Sequence, residues 1–156
     1  MSPPIPRDIP DATDGSAPPG WKPLARSSRF LDLVGPLWVH PEGPRFGLRT
    51  GERHLNNRGA VHGGVLSPIA DTMLGYALTY GSDEPVVLTT AQLSIDLLAG
   101  IGPGEWLEGE PGPGRLGRHL AFGYGQFTVA DTVVAVVRAV FSVRAVAPDQ
   151  RPPRPW

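Results

Sequence analysis

The 156-residue sequence contains no cysteine, which excludes a disulfide framework, a thiolate zinc site and a cysteine nucleophile together. Any chemistry must come from oxygen or imidazole. There is no run of like charge, and 15 acidic against 14 basic residues leave a net charge of −1, so nucleic acid is not an expected partner. No apolar stretch approaches the ~20 residues of a membrane span, and the opening segment MSPPIPRDIPDATDGSAPPGW has no signal-peptide apolar region. A cytoplasmic chain without a membrane partner is expected. Familiar site motifs are missing too. There is no G-x-S-x-G, and Ser67 stands in VLSPI without the glycines of a nucleophile elbow. The run GEPGPGRLG at 109–117 lacks the G-K-[ST] of a phosphate loop and leads into a strand pattern. His40, His54, His62 and His119 show neither H-x-H nor H-E-x-x-H spacing, so no metal is expected.

What is abundant is proline and glycine. The 19 Pro and 20 Gly make one quarter of the chain, a level that by itself suggests disorder. Their distribution says otherwise. Seven prolines fall in 1–24 and four in 148–156, so the 123 residues between hold only eight, close to the ordinary share of ~5 %. The sequence therefore reads as one domain over 27–146 between a Pro-rich tail at 1–26 and another at 147–156. Both tails are expected to be extended and dispensable for chemistry.

Within the domain, SSRFLDLV at 27–34 predicts a short helix ended by Gly35 and Pro36. Residues 37–50 predict two strand pieces around the turn Pro41–Pro44. A long helix begins just after Gly63–Gly64, with Val65, Ile69, Met73, Tyr76 and Tyr80 on one stripe. Leu66, Ala70, Ala77 and Leu78 make it apolar on most of its circumference, so it must be buried. Segments 86–99, 105–110, 118–130 and 132–146 are rich in β-branched and aromatic residues and predict four strands in tight antiparallel succession. The expected class is α+β, with the helix packed on one face of an antiparallel sheet.

Two features stand out chemically. In Asn56-Asn57-Arg58-Gly59-Ala60-Val61-His62-Gly63-Gly64, a glycine pair at a helix N-terminus exposes amides that a polarised carbonyl oxygen could approach. The same residues also fit a plain tight turn with His62 as a cap. Asp71 is an acid in an otherwise apolar helix, where burial would cost several kcal/mol unless the group is paired or used; a solvated face or a bond to Thr72 fits as well. At ~1.5 Å per residue, His62 and Asp71 lie roughly 12–14 Å apart on one helix. They cannot share a substrate atom within one chain. Two antiparallel copies about a twofold axis would bring them together.

The pattern Asn56-x-x-Gly59-x-x-His62-Gly63-Gly64, with Ala70-Asp71-Thr72 following and Gly117-Arg118 opening a later strand, resembles the hotdog-fold acyl-CoA thioesterases of the phenylacetic-acid-degradation type. The resemblance covers about residues 27–146. It implies a curved antiparallel sheet wrapped around a long central helix, a homodimer with sheets joined edge to edge, often a dimer of dimers, and sites at the dimer interface. It implies an acyl-CoA substrate, with coenzyme A part of the substrate and no separate cofactor. By resemblance, the Gly63 amide binds the thioester carbonyl, Asn56 helps to polarise it, and His62 holds the loop and Asn56 in place. Asp71 of the facing subunit serves as nucleophile or general base, with Thr90, or its neighbour Thr89, as a hydroxyl helper. Gly64, Arg118 and His119 are implied in holding coenzyme A. A departure from the family pattern is Pro111-Gly112-Pro113-Gly114, which must shorten, bulge or expose its strand. A non-catalytic acyl-CoA binder is the competing expectation, with a hydratase or dehydratase behind it.

Overall fold

The computed structural model describes residues 16–151 and 153–156. Residues 1–15, the greater part of the segment read as the N-terminal tail, and Pro152 lie outside the described residues. The elements run β1 (Lys22–Pro23), α1 (Arg29–Val34), β2 (Leu37–Val39), β3 (Phe46–Arg49), α2 (Leu66–Tyr80), β4 (Val86–Leu97), β5 (Trp106–Pro111), β6 (Arg115–Leu116), β7 (Leu120–Val129) and β8 (Thr132–Ala145). They form one antiparallel sheet in the order β1-β2-β3-β5-β7-β8-β4, with β6 paired to β7.

The sheet packs its inner face on α2. Leu66, Ile69, Ala70, Met73 and Leu74 of the helix are buried against Phe46, Leu48, Leu107, Phe127, Val137 and Phe141. The approach is so close that a Cβ at Gly109 would stand 2.9 Å from Met73 Sδ, and one at Gly123 3.1 Å from Leu74 Cβ. Several glycines of this glycine-rich chain are thus core residues, chosen for their lack of a side chain.

β2 and β3 form the expected hairpin, and β7 and β8 meet through a two-residue turn at Ala130 (φ 45°) and Asp131 (φ 67°), the left-handed pair that suits the twist of a tight hairpin. The expected succession fails at β4. Its twelve residues pair with the fourteen of β8, and the chain crosses to β5 at the far side of β7. One side of β4 is left as a sheet edge within the chain. The proline run breaks its strand as expected. β7 pairs first with β5, up to Pro111↔Gly125, and then with β6, from Arg115↔Phe122. Four residue steps face three, which is a one-residue bulge.

The Pro-rich segments are packed where they are described. Lys22–Pro23 pairs with β2, and Trp21 lies edge-on to Trp106 at 5.1 Å. At the other end, the Arg151 guanidinium donates to the carbonyls of Thr79 at 2.7 Å and Ser82 at 2.6 Å, and Trp156 packs on Tyr80 at 5.3 Å. The last turn of α2 has no basic residue of its own, so Arg151 supplies the cation that its open carbonyls favour. Proline removes amide donors but leaves carbonyls and rings able to make such contacts, which is why composition alone points to extended tails.

Candidate active site

The loop before α2 is organised by Asn56. Its side-chain oxygen accepts from the amides of Arg58 at 2.8 Å and Ala60 at 3.4 Å, and Gly59 takes φ +78° to close the turn. With that oxygen engaged, the side-chain amide is the group left to donate. His62 ends the loop, its Nδ1 accepting from the Gly64 amide at 2.9 Å to cap the 3₁₀ turn Gly63–Val65 that leads into α2. A Cβ on Gly64 would stand 2.9 Å from that nitrogen. Among the described residues His62 makes no side-chain bond to Asn56, so the loop holds its asparagine through its own amides. The Gly64 and Val65 amides are engaged. The Gly63 amide has no acceptor among the described residues, and it points from the positive end of a helix.

Behind this loop lies His54, which sequence spacing did not single out. It is 3 % exposed. Its Nδ1 accepts from the Gly51 amide at 2.9 Å, its Nε2 donates to the Val34 carbonyl at 2.7 Å, and its own carbonyl accepts from the His62 amide at 2.7 Å. The ring ties the end of α1 to Gly51, and the backbone carbonyl ties the same residue to the loop before α2. Burial, the largest effect, pushes its pKa below 6.5; the bond to the Val34 carbonyl pulls it part of the way back, and the Arg53 charge adds a smaller downward push. The unfolded chain therefore takes up a proton near pH 6.5 while the folded chain still resists it. Stability falls as pH drops through that value, by at most about 1.4 kcal/mol per pH unit for one proton. Urea unfolding between about pH 7.5 and about pH 5.5 is expected to show this decline, and His54→Gln to flatten it.

The acid sits one turn into α2. Thr90 Oγ1 donates to Asp71 Oδ1 at 2.5 Å, which leaves Oδ2 for another partner. Thr90 rather than Thr89 reaches the helix because Val86, Leu88 and Thr90 share the inner face of β4. A bulge between Thr90 and Gln92 then turns Leu93 and Ile95 inward. Asp71 and Thr90 line a cavity of about 410 Å³ with Leu31, Tyr76, Tyr80 and Phe141. Tyr76 and Tyr80, which end the apolar stripe of the helix, are walls of it. Tyr124 lines a smaller cavity on the other side of α2.

Asn56, His62 and Gly63 line a separate cavity of about 360 Å³, with Leu97 beside them. A Cβ on Gly63 would stand 2.4 Å from Leu97 Cδ1, so this glycine keeps space rather than an unusual backbone angle. One chain thus carries two separate groups of candidate residues, one beside the first half of β4 and one at its end. Arg118 and His119 belong to the Thr90 end. Leu120, Ser142 and Thr89 stand side by side across β7, β8 and β4, and Arg118 Nε donates to His119 Nε2 at 3.0 Å just before Leu120. Among the described residues no cluster of acids and histidines could hold a metal ion, and no helix is long and apolar enough to cross a membrane.

Residues 58–136, half of the chain, match the model of the thioesterase superfamily. A candidate esterase of Pseudomonas aeruginosa is 36 % identical over 129 residues, 81 % of this chain and 96 % of that protein. Among solved structures, the phenylacetic acid degradation protein of Thermus thermophilus superposes with a TM-score of 0.64 at 20 % identity, over 74 % of this chain and 98 % of that one. Zebrafish thioesterase superfamily member 2 gives 0.65 at 23 %, over 76 % and 89 %. A thioesterase protein of Streptococcus pneumoniae, solved with coenzyme A, gives 0.57 at 20 %, over 65 % and 80 %.

Proposed function

Because this chain belongs to the thioesterase superfamily and has its hotdog fold, we propose that it hydrolyses an acyl- or aryl-coenzyme A thioester to the free acid and coenzyme A. The observation that carries the reading is the pair of half-sites. One offers an unengaged amide at a helix N-terminus, and the other a carboxylate held by a threonine hydroxyl. A thioester needs both, a donor for the oxyanion and a group that delivers the nucleophile.

The free edge of β4 supports a homodimer as the way to join them. Thr90 and Leu97 are seven residues apart, roughly 23 Å along the strand, and Leu97 and Leu98 are exposed at its end. Antiparallel pairing of β4 with its copy about an axis near Leu93 and Ser94 sets Thr90 of one protomer against Leu97 of the other. The Asp71 end of one subunit then faces the Gly63 end of its partner.

In that arrangement the Gly63 amide and the Asn56 side-chain amide donate to the thioester carbonyl oxygen. In the general-base route, Asp71 takes a proton from water as the water oxygen bonds to the carbonyl carbon; the carbon–sulfur bond breaks and the leaving thiolate receives that proton. In the nucleophilic route, the Asp71 carboxylate bonds to the carbon, expels the thiolate, and the resulting anhydride is opened by water. Thr90 orients the carboxylate in either route. Arg118 and His119 would meet the phosphates of coenzyme A, Gly64 lets the loop cap itself, and no cofactor beyond the substrate is called for.

Thiol release from short, medium, long and aromatic acyl-CoAs, with the oligomer read by mass in solution, tests the proposal. Free coenzyme A from at least one member of the panel is expected. Intact thioester recovered in complex with the protein makes the chain a binder instead.

A further inference from the structure

The cavity at Asp71 continues well past the reacting carboxylate. It follows α2 from Asp71 through Gly75 and Tyr76 to Tyr80, nine residues or roughly 13 Å along the axis. Leu31, Val86, Leu88 and Phe141 make most of it apolar. Several hydroxyls on its wall are already engaged: Thr72 Oγ1 donates to the Pro68 carbonyl at 2.9 Å, and Ser28 Oγ accepts from the Leu31 amide at 3.2 Å. At the far end the Tyr80 hydroxyl donates to the Pro153 carbonyl at 3.0 Å, and its ring is held against Trp156. The C-terminal segment has therefore fixed that tyrosine as an end wall.

Arg26 is different. Of the residues lining the cavity, only Arg26 and Asp71 carry charge. Among the described residues Arg26 makes no ion pair or hydrogen bond, and the Tyr76 hydroxyl has no partner either. The two are neighbours in effect, since the Arg26 charge opposes the upward push of burial on the Tyr76 and Tyr80 hydroxyls. Arg26 is exposed and Tyr76 half-buried, so a solvated cation and a phenolic donor line the same chamber as Asp71, with Tyr76 five residues, more than a helical turn, along α2 from the acid. A purely hydrocarbon acyl end would shield the guanidinium from water and offer it nothing in return. A carboxylate would receive charge-assisted hydrogen bonds from both groups.

We propose that the acyl group taken by this site carries a carboxylate at the end remote from the thioester, so that the substrate is the coenzyme A mono-thioester of a medium-length dicarboxylic acid, with Arg26 pairing to that carboxylate and Tyr76 donating to it. This rests on the thioesterase reading and goes further by naming the acyl class.

The test compares kcat/KM for suberoyl-CoA with that for octanoyl-CoA, which share chain length and differ in the terminal carboxylate, using the full chain. The wild type is expected to favour suberoyl-CoA by about tenfold or more, the equivalent of one good charged contact. Arg26→Gln is expected to bring that ratio towards one, chiefly through KM, Arg26→Lys to keep part of it, and Tyr76→Phe to lower it less. A wild type that prefers octanoyl-CoA, or a ratio unchanged in Arg26→Gln, overturns the proposal. So does an equal loss on both substrates, which would assign Arg26 to the coenzyme end they share. Hydrolysis of octanoyl-CoA alone leaves the thioesterase reading standing and sinks only this one, whereas no thiol release from any acyl-CoA removes the thioesterase reading itself.

Discussion

Asp71→Asn is expected to lower kcat by about 10³-fold while the protein stays folded and still binds its thioester. The amide keeps the shape of the carboxylate and an oxygen to accept the Thr90 hydroxyl, so the 2.5 Å contact has a neutral substitute. What is lost is the negative oxygen that would take a proton or attack carbon. Thr90→Val should cost less, about ten- to a hundredfold, the worth of one hydrogen bond to a charged group. Thr90→Ser should recover most of that loss by restoring the hydroxyl. Single-turnover thiol release with unchanged unfolding midpoints checks both. Wild-type turnover in Asp71→Asn removes the acid from the mechanism in either of its two forms.

The helix and the strands were legible because their signals are local. The apolar stripe through Ile69 and Met73 can be satisfied only by burial, and alternation through Leu93 and Ile95 only by a strand with one wet face. Strand order was not legible, because antiparallel strands of similar pattern are interchangeable until length is considered. β4 and β8 are the two longest strands, and that match was the available signal for their pairing. Thr90 could be reached by counting in twos from Val86, whereas the bulge after it could not. His54 carries no spacing signal because its partners, the Gly51 amide and the Val34 carbonyl, are backbone groups that any residues could supply. Arg151 is hidden for the same reason. It satisfies carbonyls about seventy residues earlier in the chain, and only the fold brings them together.

The separation of the two half-sites gives a second large effect, which appears on mixing. Asp71→Asn damages one half-site and Gly63→Val the other. Gly63 has no positive φ, so a side chain there is compatible with the backbone. It would push the mobile end of Leu97 and obstruct the amide's approach to a carbonyl. Each variant alone is expected to be nearly inactive, since every site of its homodimer combines one damaged half with one intact half. In a mixed dimer the damage segregates: one site receives both lesions and the other receives none. Refolding the two variants together at equal concentration makes half of the dimers mixed, so about a quarter of all sites, and about a quarter of wild-type activity, should return. Asn56→Ala in place of Gly63→Val should complement in the same way, from a higher starting activity. Thiol release on the refolded mixture, with dimer content checked by size-exclusion chromatography, reads the outcome. An inactive mixture of well-formed dimers would mean that Gly63 and Asp71 of the same protomer serve one site, against the roughly 12–14 Å that the helix puts between His62 and Asp71.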